Sequence, residues 1–416
     1  ILHSQGFKII AGLPTSSTGW SDNFGTLGIE CVEDFNGDGF NDLMFGDWYA
    51  ETYKGRSVLL YGRDASEWPS VVNVSSPSFG GVIFLPAEKQ ALGEYSDSLD
   101  LNLDGSLDLI LTGYIAYSMR GYVHVIWGEQ TLISPMLLPV TDLQQGFFLR
   151  GTMGTERWGG AISTGDINGD KHLDLVLGSY VKWIVVVLAS ESATYDLNMT
   201  VSQLSNYVTF NNTMESSFGH SVVTGDINGD GFDDVITGAI SALGGKGQAF
   251  IWFGSASPSN FAITSPSQLP DGTTWSRISG YEYGYLGWSV GVVHGVAGNP
   301  DELIVPAPYL KSYVGGAYLI SRQPCKIETD GKCTRCWAGY GIDLGSGTCS
   351  ACTQYILNWS DGSTPCQTII PIVGCTEYNV ATGKCMTCSE SYGLNLAAGT
   401  CTKCTLNTWS DGVSPC

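Results

Sequence analysis

Positive charge is scarce in this chain: 19 Lys and Arg stand against 40 Asp and Glu in 416 residues, a formal net charge of −21. Such a field repels phosphate backbones and anionic membrane surfaces, which excludes nucleic acid as an electrostatic partner and makes cations the natural counterpart. Apolar runs of about 18 residues are missing, so no segment is expected to insert into a bilayer. No signal-peptide pattern follows Ile1, and a processed, soluble chain is expected. Histidine is rare: His3, His124, His172, His220 and His294 are scattered, none in H-E-x-x-H, and neither G-x-S-x-G nor a phosphate loop occurs. A protein without catalytic residues, not an enzyme, is therefore expected. Cysteine is nearly absent before residue 325, where Cys31 stands alone as a buried thiol or, alternatively, a bridge to another chain.

Glycine is abundant, with 54 residues, while aromatics reach 11% and charged residues only 14%, a balance that favours a turn-rich β protein over helical bundles. One nonapeptide returns four times: DFNGDGFND from Asp34, DLNLDGSLD from Asp100, DINGDKHLD from Asp166 and DINGDGFDD from Asp226. A hydrophobic-Gly pair precedes each (Phe24-Gly25, Leu92-Gly93, Trp158-Gly159, Phe218-Gly219), and two apolar strands follow, as in VITGA and QAFIWFG. A fifth copy from Leu286-Gly287 keeps the strands ELIVPAP and GGAYLIS but not the acidic loop. The loops start 66, 66 and 60 residues apart, and the equivalent fifth position, His294, lies 68 further on. One period holds about four short strands, the content of a propeller blade. The lone segment FKIIAG (7–12) reads as a fourth strand set ahead of its repeat, pairing beside residues 315–321 to close a ring without open edges. The expected fold is all-β: a five-bladed propeller of four-stranded antiparallel blades over residues 1–322.

In the pattern D-x-N-x-D-G-x-x-D, side-chain oxygens at positions 1, 3, 5 and 9 and the carbonyl at 7 can converge on one cation. An oxygen-only set suits Ca²⁺ and offers nothing to select zinc or copper. The ligands predicted are Asp34, Asn36, Asp38, Phe40 and Asp42 in the first loop, and Asp100, Asn102, Asp104, Ser106 and Asp108 in the second. The third supplies Asp166, Asn168, Asp170, His172 and Asp174, and the fourth Asp226, Asn228, Asp230, Phe232 and Asp234, for three or four Ca²⁺ ions in all. Lys171 stands where the turn favours Gly, which sets the third loop apart.

The string FGHSVVTGDINGDGFDDVITGA (218–239) resembles the FG-GAP repeat of integrin alpha chains, and the likeness extends over residues 7–321. It implies a β-propeller with Ca²⁺ in the first hairpin of a blade and with ligand and partner subunit on the opposite face. Integrin propellers have seven blades, whereas the spacing here counts five. In an up-and-down blade the second turn and the blade-to-blade link lie on that opposite face, which assigns to it Trp48, Tyr49, Tyr114, Tyr180, Tyr283, Tyr309 and Tyr313, an aromatic supply suited to partner binding.

The other twelve cysteines form two copies of one pattern: Cys325, Cys333, Cys336, Cys349, Cys352, Cys366, then Cys375, Cys385, Cys388, Cys401, Cys404, Cys416. Two modules, 323–370 and 371–416, are expected. The spacing fits three disulfides per module, paired in order (Cys325 with Cys333, Cys336 with Cys349, Cys352 with Cys366) if each hairpin holds one bridge, and it also fits a zinc ribbon. Zinc leaves Cys325, Cys366, Cys375 and Cys416 without a role, while glycosylation sequons at Asn73, Asn198, Asn211 and Asn358 are compatible with secretion. The modules resemble furin-like and growth-factor-receptor cysteine-rich repeats. The combined expectation is an extracellular or cell-surface, calcium-binding, non-catalytic interaction protein that engages a protein partner in adhesion or as a receptor. Alternatives are a self-assembling subunit of a filament or surface coat, and a glycan-binding propeller.

Overall fold

A computed structural model describes residues 7–10 and 29–320, apart from 116–118, 129–131, 153–155, 213–216, 265–273, 281–282, 294–300 and 310–314. Between 325 and 403 it describes the backbone of the paired strands. Residues 1–293 with 303–320 form one compact unit, and 294–302 with 321–416 another.

The first unit is nearly all β. After β1 (Lys8–Ile10), the first repeat supplies β2 (Ile29–Val32), β3 (Asp42–Gly46), β4 (Ser57–Leu60), β5 (Val71–Asn73) and β6 (Gly81–Pro86). The second supplies β7 (Ser96–Leu99), β8 (Asp108–Gly113), β9 (Tyr122–Ile126), β10 (Met136–Leu138) and β11 (Gly146–Arg150). The third supplies β12 (Ala161–Gly165), β13 (Asp174–Gly178), β14 (Trp183–Val187), β15 (Asn198–Thr200) and β16 (Tyr207–Asn212). The fourth supplies β17 (Phe218–Gly225), β18 (Asp234–Ala239), β19 (Gln248–Trp252), β20 (Phe261–Ile263) and β21 (Trp275–Ser279), and the fifth β22 (Gly291–Val293), β23 (Glu302–Ala307) and β24 (Gly316–Ile320). Two helical turns, α1 (Ala50–Tyr53) and α2 (Ala242–Gly245), interrupt second-to-third-strand connections.

Each repeat folds into its own antiparallel sheet, as the period predicts, but with an exchange between neighbours. The three-residue segment between the third and fourth strands leaves its repeat and pairs in parallel with the fourth strand of the one before: β10 beside β6, β15 beside β11, β20 beside β16. β1 pairs with β5 in the same manner, Lys8 opposite Val71 and Ile10 opposite Asn73. It therefore stands to β5 as β6, β11 and β16 stand to their crossing segments. The expected pairing beside 315–321 is not the one found: among the described residues, β24 pairs with β23 alone. The anchorage beside β5 has an apolar cause, since Phe7 stacks on Trp68 with ring centroids 4.1 Å apart and Ile9 packs on a cluster with Phe45, Val58 and Val72.

The core lies between sheets. β8, β13 and β18 are buried along their whole length, which is why they read as unbroken apolar runs. Alternation sends Leu175 and Leu177 toward Leu99, Ile110, Val123 and Phe147 of the preceding sheet, while Val176 meets Phe218, Val235 and Phe250 of the next. Facing sheets packed through both surfaces are propeller-like. The hydrophobic-Gly pairs from Leu92-Gly93 onward sit at these junctions, while Phe24-Gly25 lies outside the described residues. Gly93 has φ +95°, and its carbonyl approaches Gly46 so closely that a Cβ on Gly46 would lie 1.8 Å away. Gly238 and Gly287 repeat the contact at 1.9 Å.

In the second unit, β25 (Cys325–Thr329) pairs with β26 (Lys332–Cys336), β27 (Tyr340–Asp343) with β28 (Thr348–Ala351), and β29 (Asn358–Trp359) with β30 (Gln367–Thr368). β31 (Cys375–Tyr378) with β32 (Cys385–Cys388), and β33 (Tyr392–Asn395) with β34 (Thr400–Lys403), repeat the first two hairpins. The backbone register sets Cys325 opposite Cys336 and Cys375 opposite Cys388, the same relation in both modules. Cys352, Cys366, Cys404 and Cys416 lie outside the described residues.

Candidate functional site

The four acidic nonapeptides connect the first and second strands of their sheets, and they share one wiring. The carboxylate at position 1 accepts backbone N–H bonds from its own loop: Asp38 and Gly39 to Asp34 (2.9 and 2.7 Å), Asp104 and Gly105 to Asp100 (3.0 and 2.9 Å). Asp166 accepts from Gly169 and Lys171 (2.7 and 2.9 Å), and Asp226 from Asp230 and Gly231 (3.0 and 2.9 Å). The carboxylate at position 5 accepts the N–H of position 7: Phe40, Ser106, His172 and Phe232 donate to Asp38, Asp104, Asp170 and Asp230. In three loops the position 3 amide ties to position 5, Asn36 to Asp38, Asn102 to Asp104 and Asn168 to Asp170; in the fourth, Asn228 turns toward Asp234 instead. Lys171 adopts φ +75°, so the third loop takes the conformation of its glycine-bearing counterparts.

Position 9 is different. Asp42, Asp108, Asp174 and Asp234 are buried beneath the loop. Each bridges two backbone N–H groups, one at position 2 of its loop and one just after the third strand: Phe35 and Gly62, Leu101 and Gly128, Ile167 and Ala189, Ile227 and Gly254. Burial pushes Asp108 and Asp174 up to about 7 and Asp234 up to about 8, partly offset by those N–H bonds and reinforced by the acids above. Among the described residues, no three carboxylate, imidazole or thiol groups already converge as a metal cluster. The donor chemistry nevertheless fits a hard cation, since each loop presents only oxygen donors, with acids stacked at positions 1, 5 and 9. Asp233, at position 8 of the fourth loop, was not singled out by the motif; its Oδ2 accepts the Asp166 N–H at 2.8 Å, and its own N–H donates to the Asp166 carbonyl, joining two loops.

The second strands carry the chain away from these loops, so the turns leading to the third strands lie on the opposite face. There the predicted rings gather with others that sequence reading had passed over. Tyr114 meets Tyr180 (5.6 Å between centroids), Tyr180 meets His220 (4.9 Å), His220 meets Trp288 (5.4 Å), and Trp288 meets Tyr309 (6.0 Å). Tyr285 links Tyr309 to Tyr283, which is 57% exposed. Trp48, Tyr49 and Tyr53 form a separate trio around α1. Tyr313 lies outside the described residues.

Beneath these rings Glu94 is 6% exposed, its Oε1 accepting the Tyr180 hydroxyl at 3.4 Å and its Oε2 buried without a partner. Burial pushes its pKa up from 4.5 to about 7. A carboxyl whose folded pKa is raised contributes its full stability below the unfolded value and loses it as pH rises through the folded one. Glu94→Gln should therefore leave the melting temperature nearly unchanged at pH 5 and stabilise the fold at pH 8 by up to about 3 kcal/mol. Identical melting profiles for variant and parent across that range would refute the assignment. The inner strands also bring Glu30 and Asp97 to a cavity of about 320 Å³ with Tyr95, Ser96 and Ser163.

Other predicted positions are dispersed. Asn198 is exposed, whereas Asn73 and Asn211 are half-buried, and the side chain of Asn358 lies outside the described residues. Cys31 is free and exposed, not the buried thiol expected, because β2 is the terminal strand of its sheet and turns that side chain outward. Among the described residues no helix is long and apolar enough to cross a membrane.

Residues 218–252 match the FG-GAP repeat family. The chain is 28% identical over 252 residues to phosphatidylinositol-glycan-specific phospholipase D of Bos taurus, an alignment covering 56% of this chain and 28% of the relative. The same enzyme of Homo sapiens is 27% identical over 275 residues, covering 62% and 30%, and that of Mus musculus 29% over 216 residues, covering 48% and 24%. The chain thus spans less than a third of the length of these relatives. Their identity as enzymes overturns the reading of a non-catalytic protein of adhesion, filament or glycan-binding type. The missing signal has a physical reason: the repeats encode strands and turns, and the family signature of a repeat says nothing about the chemistry of the polypeptide that carries it. An FG-GAP repeat is present, within a chain similar along more than half its length to phosphatidylinositol-glycan-specific phospholipases D.

Proposed function

We propose that this chain is the FG-GAP propeller portion of a hydrolase related to phosphatidylinositol-glycan-specific phospholipase D, working outside the cell. The observation that carries this reading is the alignment over 252 to 275 residues with enzymes of that one specificity. The repeats make five blades, and β1 seals the first crossing segment, β5, as β6, β11 and β16 seal β10, β15 and β20. The acidic loops hold Ca²⁺ through positions 1, 3, 5, 7 and 9, the position 1 and 5 carboxylates turning from backbone N–H groups to the ion. Calcium stiffens the loop face, and the aromatic face opposite positions the rest of the enzyme. The cysteine-rich modules are cross-linked by disulfides, in keeping with an oxidising compartment.

The test is enzymatic. The native protein that carries this chain, incubated with phosphatidylinositol-glycan in detergent, should release phosphatidic acid, the product of phospholipase D hydrolysis. Absence of phosphatidic acid, under conditions where the bovine relative produces it, would remove the hydrolase reading.

A further inference from the structure

We propose that a cavity between Arg120 and Arg150, on the face opposite the acidic loops, binds a phosphate-class oxyanion. In a chain with so few basic residues, two arginines line one space of about 150 Å³, together with Tyr122, Gly151 and Asn198. The topology brings them there. β8 delivers the chain to the turn that ends at Arg120, β9 leaves from it, and β11 returns antiparallel with Arg150 directly opposite Tyr122.

The two side chains are prepared differently. Arg150 donates from Nε to Asn198 Oδ1 at 2.7 Å, which fixes the plane of its guanidinium and leaves its terminal nitrogens without a hydrogen bond among the described residues. The Arg120 Nε is buried and has no hydrogen-bond partner. Neither arginine is in an ion pair among the described residues, where the pairs are Lys54 with Glu51 and Arg56 with Asp47. Glu156, beside Gly151, is engaged by the N–H and hydroxyl of Thr152 at 2.6 and 3.1 Å. Glycine at 151 allows a close approach of this wall, since a Cβ there would lie 2.4 Å from the Arg120 carbonyl and 2.7 Å from Glu156 Oε2.

Planar forks with free N–H groups match the oxygens of a tetrahedral anion, and the volume takes one such group and not a lipid. The phosphate can come free from solution or as the phosphoryl group of an inositol headgroup. The site does not depend on the hydrolase reading, because binding is measured without cleavage and either can fail alone.

Isothermal titration calorimetry of the native chain, at constant ionic strength and without excess calcium, decides the matter with inorganic phosphate in one arm and glycerophosphoinositol in the other. Saturable binding of one anion per chain is expected, weakened on the order of ten-fold or more in Arg120→Gln and in Arg150→Gln. Tighter binding of glycerophosphoinositol assigns the site to a headgroup, and tighter binding of phosphate assigns it to the free ion. Should the glutamine variants not fold, Arg120→Lys and Arg150→Lys keep the charge while removing the fork, and each should still weaken binding. No binding in either arm, or unchanged affinity in the folded variants, overturns the proposal.

Discussion

Removing calcium from the native chain with a chelator should lower its melting temperature by roughly 20 °C. Each ion that binds only the folded state adds about 2.7 kcal/mol when its free concentration is a hundred times its Kd. Four loops make the sum large beside an ordinary folding free energy. The ions also relieve a specific stress, because buried Asp42, Asp108, Asp174 and Asp234 lie under further acids of the same loops. Full occupancy would take the net charge from −21 to −13, two positive charges for each of four ions. Metal analysis should find three or four Ca²⁺ per chain, and Asp100→Ala should lose one. A metal-free protein whose melt ignores the chelator would contradict the calcium assignment.

The second large effect is steric. Gly93→Ala should destabilise the fold on the order of 3 kcal/mol, because its φ of +95° is hostile to a side chain and the new Cβ would stand 2.2 Å from the Arg56 carbonyl. Gly39 has nearly the same φ, +91°, but open space around it. Gly39→Ala should therefore cost only about 1 kcal/mol, the conformational part alone. Denaturant unfolding of the two variants separates backbone strain from collision between sheets. Equal losses would show that the junction yields and that close approach at Gly46 is not needed.

The same glycines indicate what was legible in advance. The repeated hydrophobic-Gly pair is visible because Gly93, Gly219 and Gly287 each approach a glycine of the neighbouring sheet, and the period follows from counting. The crossing segments β5, β10, β15 and β20 were not visible. Three residues such as Met136–Leu138 are too short to display alternation, and their partners lie in another repeat. The acidic loops were legible because their donors sit within nine residues. Asp233 was not, since its contact is with Asp166, a full repeat away. Trp288 and His220 likewise meet only through the packing of two sheets. The buried thiol expected at Cys31 failed for a related reason: pattern identifies a strand but not whether it ends its sheet. The enzymatic relationship was illegible because nothing in turn chemistry or sheet periodicity reports on bond cleavage.

The strand exchange between repeats bears on how the chain is made. β6 ends at Pro86, but the strand that covers its outer edge, β10, begins at Met136, fifty residues later. During synthesis from the N-terminus, each of the first three sheets therefore waits with one flank bare until much of the next repeat has left the ribosome. A pause with residue 86 already clear of the ribosome and residue 138 still inside it would expose β6 for longest, whereas a pause with 138 clear would find it sealed. Slow translation is better tolerated once each crossing segment has emerged than before.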